Sequence, residues 1–209
     1  TSENDEILRA VDRVRAHVKD RGIWVLDRGG DRVKLFRAFL DRGMRFIVRQ
    51  RRDRHLVFRG RRRTVLEVAE GCPLPYAETI VVMDGDKEKA CTIEYGYRKV
   101  KLPGREEALH LIVVRGFGRE PLMLLTPLVM RRNREVLWSV VEGYLTRWRI
   151  EETIRFIKQS YRLEDIRVMT YRRLKNLVAL VLAACYFAAV YLGEGLKLRI
   201  LARRVLKVA

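Results

Sequence analysis

The spacing of apolar residues divides the chain into helical and strand-like stretches. Residues 23–26 are a short apolar run of the kind found in a strand buried on both faces, and residues 44–49 are predicted as another strand. An amphipathic pattern between them predicts a helix over residues 33–40. A strand, a helix and a strand joined by short links indicate a parallel α/β unit. A helix over residues 3–20 precedes this unit, with an apolar face formed by Ile7, Val11, Val14 and Val18.

After Gln50 the pattern changes to short alternating runs separated by turn residues such as Asp84-Gly85 and Pro103-Gly104. We interpret residues 51–126 as a β-rich insertion between residues 1–50 and residues 127–209, which are two parts of one α/β domain. Strands are predicted at 56–58, 64–68, 79–83, 91–95, 97–102, 109–114 and 122–125.

Helical periodicity returns at Asn133 and continues through Lys158. A last helix, residues 171–192, is apolar nearly all round, and we therefore expect it to be packed on several sides. Its charge-free part, residues 177–192, is shorter than the roughly 20 residues that span a bilayer, so we predict no membrane segment.

The charge balance indicates a polyanionic partner. Lys and Arg number 44 against 26 Asp and Glu, which gives a net charge of +18 and a pI near 10.4. Phosphate neutralisation favours nucleic acid as that partner, although a generally basic surface or a membrane surface would have the same composition. The three cysteines have no metal-site spacing, which favours a reducing, cytoplasmic location without disulfides.

One helical stripe carries candidate chemistry. Rotation of about 100° per residue places Tyr144, Arg147, Glu151 and Lys158 within a stripe roughly 60° wide, beside the apolar face. Spacing alone is equally compatible with charge pairs on a solvated helix.

The segment YLTRWRIEETIRFIK resembles a helix of the bacterial cut-and-paste DDE transposases of the Tyr-Arg-Glu-Lys group, the insertion-sequence "four" group. The resemblance implies that Glu151 is the last of three metal-binding carboxylates. It also implies that Tyr144, Arg147 and Lys158 contact DNA phosphate at the transposon end, with Trp148 beside them.

A second candidate carboxylate, Asp27, follows the strand at residues 23–26, where functional groups of α/β units gather. Asp27 could instead cap a helix, but Asp31 lies closer to the next helix and is the better candidate for that role. The segment WVLDRGGD, followed by a helix and RFIVR, also resembles the second-carboxylate strand of the same transposases. On that resemblance Asp27 is the second metal ligand, and Arg49 lies close to the DNA end.

Arginines crowd the start of the insertion, and the resemblance implies that this module helps to hold DNA. We favour DNA binding, with Arg61 and Arg62 as candidate contacts, over a charged strand edge that only prevents aggregation. The crowded positions are Arg51, Arg52, Arg54, Arg59, Arg61, Arg62 and Arg63.

The last insertion strand departs from the family pattern. Relatives that form a DNA hairpin carry a Trp there that stacks on a flipped base, and the matching position here is Leu122. A Leu has no π face, so hairpin formation is in doubt. Met123 is either a wedge that replaces the Trp or a core residue.

The resemblance as a whole implies a ribonuclease-H-like fold, incomplete at its N-terminal strands, and metal-dependent DNA cleavage and strand transfer by a homodimer on paired transposon ends. Carboxylate ligands suit Mg²⁺, with Mn²⁺ as an alternative. The first Asp of the family has no counterpart, so we expect a fragment or a decayed element that binds DNA but does not cut it alone. The alternatives are a non-catalytic DNA-binding protein derived from a transposase and a basic RNA-binding protein.

Overall fold

The computed structural model describes residues 2–84, 87–130, 133–147 and 170–191, together with Arg155, Lys158, Gln159, Asp165 and Arg167. The chain divides into two compact units, Thr1–Arg147 and Trp148–Ala209.

The N-terminal part of the first unit has the predicted strand–helix–strand order. The first and second strands pair in parallel, with Leu26 opposite Val48, as two strands joined by a helix should. Ser2 and Asp5 form a capping box that begins the first helix. The elements are α1 (Glu3–Val18), β1 (Trp24–Leu26), α2 (Val33–Asp41) and β2 (Phe46–Arg49).

A two-stranded ribbon follows, formed by β3 (His55–Phe58) and β4 (Arg61–Thr64). The strand predicted at residues 64–68 is wrong, because a short helix, α3 (Val65–Glu70), occupies that position. Thr64 accepts the backbone N–H of Glu67, and the Glu67 carboxylate accepts the backbone N–H of Thr64. This reciprocal cap begins a helix where apolar alternation had suggested a strand.

The remaining strands extend the sheet of β1 and β2. The six-stranded sheet has the order β1-β2-β8-β7-β6-β5, in which β8 runs antiparallel to β2. The two strands predicted at 91–95 and 97–102 form one long strand, β6. The first unit is therefore a mixed α/β structure. These strands are β5 (Tyr76–Asp84), β6 (Lys87–Val100), β7 (Leu109–Arg115) and β8 (Leu122–Thr126).

Both faces of the sheet are buried at β2, β7 and β8, which explains the continuous apolar runs of β7 and β8. Along β8, Met123 and Leu125 belong to the core that contains side chains of α1, α2 and α3. Leu122 and Leu124 belong to the core on the opposite face, which contains side chains of α4 (Arg134–Thr146). Asn133 caps α4. Met123 is 3% exposed, so it is a core residue, and Leu122 is equally buried.

Strand β1 is less buried than predicted. Its three residues are half-buried, and Ile23 just before it is 43% exposed. The reason is its position at the edge of the sheet, where it pairs with β2 alone among the described strands.

In the second unit the described helix α5 (Tyr171–Tyr191) confirms the predicted last helix but not its predicted packing. Val181 is buried, whereas Leu180, Tyr186 and Phe187 are more than half exposed. Apolar composition all round a helix therefore did not predict its burial. Across the described residues, no helix is long and apolar enough to cross a membrane.

Candidate functional site

The carboxyl ends of β1 and β2 bring Asp27 and Arg49 to one face of the sheet. Val25 and Ile47 belong to the core that contains α4, so alternation directs the side chains two positions later, Asp27 and Arg49, to the same face. A Cβ added to Gly143 of α4 would lie 3.6 Å from the Ile47 side chain. Asp27 is exposed and Arg49 is half-buried, so solvent reaches both residues.

Asp27 caps the 3₁₀ turn Arg28–Gly30, which lies directly after β1. Its Oδ1 accepts the backbone N–H of Gly29 at 2.8 Å, while Oδ2 has no hydrogen bond from any described residue. Glycine is required at the end of this turn, because a Cβ on Gly30 would lie 2.6 Å from Leu26 Cβ. Asp27 thus has a capping role and still presents one carboxylate oxygen to solvent.

The expectation that Asp31 caps α2 is wrong. The N-cap position of α2 is Arg32, which makes no capping hydrogen bond with its side chain. Asp31 is 3% exposed and turns inward. Its carboxylate accepts Arg54 Nε at 2.6 Å and the backbone N–H of Arg51 at 2.8 Å. Sequence reasoning missed this contact because its partners lie 20 or more residues away.

Several basic side chains lie at this end of the sheet, and Glu120 forms ion pairs with two of them. Glu120, in the loop between β7 and β8, accepts Arg52 at 2.8 Å and lies 3.7 Å from Arg28. The pKa of Arg32 is raised, chiefly by its hydrogen bond to Glu3, and the charge of Asp27 makes a smaller contribution. Asp27 therefore lies in a positive environment suited to an anionic ligand.

Tyr144 is fully buried, so the structure does not support its predicted phosphate contact. The reason is helical rotation: in projection Tyr144 falls between Val140 and Val141, both of which face the sheet. The Arg147 guanidinium lies 5.6 Å from the centre of the Tyr144 ring. Tyr144 therefore packs against the sheet, and its ring contacts the Arg147 side chain.

The other residues of the predicted helical stripe belong to the second unit. Glu151 and Trp148 lie outside the described residues, so the predicted meeting of Glu151 with Asp27 stays a prediction. Lys158 is helical and exposed.

The described residues do not by themselves form a complete metal site. Among them, no group of three or more His, Cys, Asp or Glu side chains could hold an ion. Asp27 fits as one oxygen ligand, because its Oδ2 accepts no hydrogen bond from the described part of the chain. Asp31 does not fit, because its oxygens are taken by Arg54 and Arg51.

Arg61 and Arg62 are exposed on β4, as expected for DNA contacts. They do not form one patch, however. Arg61 lies opposite Phe58 in the ribbon and Arg62 opposite Val57, so their side chains leave opposite faces.

No protein-family model matches the chain, and no curated protein matches it at a significant level.

Proposed function

We propose that this chain is part of the catalytic domain of a bacterial cut-and-paste DDE transposase, with Asp27 and Glu151 as metal-binding carboxylates. The observation that carries the proposal is the position of Asp27 at the carboxyl end of β1, on the sheet face of Arg49 and α4, with an Oδ2 that accepts no hydrogen bond from the described residues. The segment that resembles the transposase helix begins at Tyr144, within α4, which ends at Thr146.

The architecture of the first unit supports a ribonuclease-H-like fold. Two neighbouring parallel strands are joined by a helix, antiparallel strands extend the sheet, and helices cover both faces. In open α/β sheets, ligands bind outside the carboxyl ends of the parallel strands, which is where Asp27 lies.

The cofactor of the proposed activity is Mg²⁺, with Mn²⁺ as a substitute. Such an ion polarises the phosphoryl group and activates the attacking oxygen when it is bound. Asp27 and Glu151 would each supply an oxygen ligand. Arg49 would hold a neighbouring phosphate, since positioning supplies much of the rate in phosphoryl transfer. The partners are transposon-end and target DNA, the active form is a homodimer, and the location is the bacterial cytoplasm at the nucleoid.

Metal binding tests the proposal without requiring turnover. We would titrate Mn²⁺ into the protein with duplex DNA present and follow free Mn²⁺ by electron paramagnetic resonance. Asp27→Asn and Glu151→Gln should each weaken Mn²⁺ binding at least about tenfold, because even outer-shell partners of metal ligands contribute about 10–100-fold. Glu142→Gln is the matched control, since Glu142 is exposed on α4 and close to Glu151 in sequence.

The result also separates the alternatives. Unchanged Mn²⁺ affinity in both variants, with DNA binding intact, would replace the transposase proposal by a non-catalytic DNA-binding protein. Tighter binding to RNA than to duplex DNA, again without metal dependence, would indicate the RNA-binding alternative.

A further inference from the structure

The ribbon of β3 and β4 presents arginines from both of its faces. In its register Arg61 and Arg63 share a face with Phe58 and with Leu56, which is fully buried at the base of the ribbon. Arg62 shares the opposite face with His55. The turn between the strands is Arg59-Gly60, with positive φ at both residues, as a tight type I′ hairpin requires. The ribbon is therefore a narrow ridge with cations on either side.

A basic cleft runs along each side of this ridge. One cleft, of about 560 Å³, is lined by Arg59, Arg61 and Arg63, and Glu67 and Glu70 offset part of their charge. The other, of about 350 Å³, is lined by five arginines and His55 against two carboxylates, those of Asp31 and Asp53; the arginines are Arg37, Arg51, Arg54, Arg62 and Arg105. Two separate anionic chains could pass along the ridge, one on each side.

The charges at the tip of the ridge are not neutralised within the described part of the chain. Arg63 pairs with Glu67 at 3.3 Å, and Arg54 at the base pairs with Asp31. By contrast, Arg61 and Arg62 have no acidic partner among the described residues, and the Arg59 guanidinium lies 5.3 Å from the centre of the Phe58 ring. Guanidinium groups without an acidic partner are available to bind phosphate oxygens.

The base of the ridge is fixed, and β4 is its outer strand. Leu56 is fully buried, and Val57 exchanges backbone hydrogen bonds of 2.8 and 3.0 Å with Lys101, the residue directly after β6. A four-residue strand is about 13 Å long. The major groove of B-DNA, about 12 Å wide and 8.5 Å deep, admits a two-stranded ribbon.

We propose that β4 and the Arg59-Gly60 turn enter the major groove of duplex DNA, with Arg61 and Arg63 facing one phosphate backbone and Arg62 facing the other. This inference rests on the proposed DNA-binding function and specifies how the duplex is held. The competing arrangement is flat docking, in which a single face of the ribbon lies on one backbone.

Salt dependence of DNA binding distinguishes the two arrangements. Each phosphate contact contributes about 0.9 to the slope of log K against log salt. Arg61→Gln and Arg62→Gln should each flatten the slope by about 0.9, and the double variant by about 1.8. Between 50 and 200 mM salt, each lost contact then reduces the salt-induced loss of affinity about 3.5-fold. Arg9→Gln, an equal charge change at an exposed position of α1, should leave the slope unchanged.

A duplex whose major groove is blocked by bulky groups tests whether the ribbon enters the major groove. Binding to DNA that contains glucosylated hydroxymethylcytosine would be compared with binding to the same unmodified sequence. We expect weaker binding to the filled duplex and no further effect of the double Arg61→Gln, Arg62→Gln variant on it.

Each outcome is informative. If only one of the two single variants flattens the slope, or if the filled duplex binds as tightly as the unmodified one, groove insertion is overturned while DNA binding stands. If neither single variant changes the slope of a protein that binds DNA, the ridge is not a DNA contact. If the unchanged protein shows no salt-dependent binding to duplex DNA, the proposed function itself fails. Circular dichroism of every variant checks that the fold is retained.

Discussion

Replacing Asp31 tests whether a buried ion pair holds together the end of the sheet where Asp27 lies. The Asp31 side chain is fully buried and the Arg54 side chain is 19% exposed. Arg54 donates to the Asp31 carboxylate and also to its backbone carbonyl, at 2.8 Å. Asp31 therefore ties α2 to the segment between β2 and the ribbon.

The loss of stability in the Asp31→Asn variant depends on the Arg54 charge that remains without a partner. Asp31→Asn keeps the shape of the side chain but leaves the Arg54 charge without its partner in a poorly solvated place. Removing one member of a buried pair costs about 3–5 kcal/mol. Because Arg54 retains some exposure and Asn retains one acceptor, we expect the lower end, about 3 kcal/mol. In a chain of this size, that loss lowers Tm by about 6–12 °C.

Urea unfolding followed by tryptophan fluorescence measures this loss, and Arg54→Met completes a double-mutant cycle. The double variant should be less destabilised than the sum of the single variants, because it leaves no uncompensated charge. The pair between Asp12 of α1 and Arg42 after α2 is the control. Its side chains are 50% and 30% exposed, so it should contribute only about 0.2–1 kcal/mol. If Asp31→Asn lowers the free energy of unfolding no more than Asp12→Asn does, the buried pair does not stabilise this end of the sheet.

Two further predictions concern stability. Burial is the main cause that lowers the pKa of His110 below its ordinary value of 6.5, so the folded protein binds fewer protons there than the unfolded chain. The free energy of unfolding should therefore fall as pH drops below about 6.5, and His110→Gln should flatten that part of the profile; an unchanged profile would contradict the assignment. Thr64→Ala should cost about 1 kcal/mol by removing the cap of α3, with Thr64→Ser as the control that retains it. Equal urea midpoints for the Ala and Ser variants would show that the cap is not important.

Periodicity predicted the secondary structure well where one pattern dominated. The helix at residues 3–20, the parallel strand pair and the helix that begins after Asn133 are all present. Register and sheet order could not be read from the sequence in the same way, because they depend on contacts between distant strands such as β2 and β8.

The prediction errors have local physical causes. At residues 64–68 apolar alternation was read as a strand, although Thr64 and Glu67 have the spacing of a capping box, a signal that was present in the sequence. At Tyr144 the predicted stripe was drawn beside the apolar face, yet this residue shares that face with Val140 and Val141. The role of Asp31 had no such local signal, because Arg54 reaches it from beyond β2.

The contacts of Glu120 connect the two proposals. Glu120 forms ion pairs with Arg28, next to Asp27, and with Arg52, which precedes the ribbon. Asp31 forms an ion pair with Arg54, the residue directly before the ribbon. The exposed carboxylate and the arginine ridge are therefore joined through short polar contacts at one end of one sheet. A duplex held by the ridge would lie at a defined position relative to Asp27, because these polar contacts tie the turn after β1 and the loop of Glu120 to the base of the ribbon. This connection makes DNA positioning, and not only charge, the physical basis of the proposed activity.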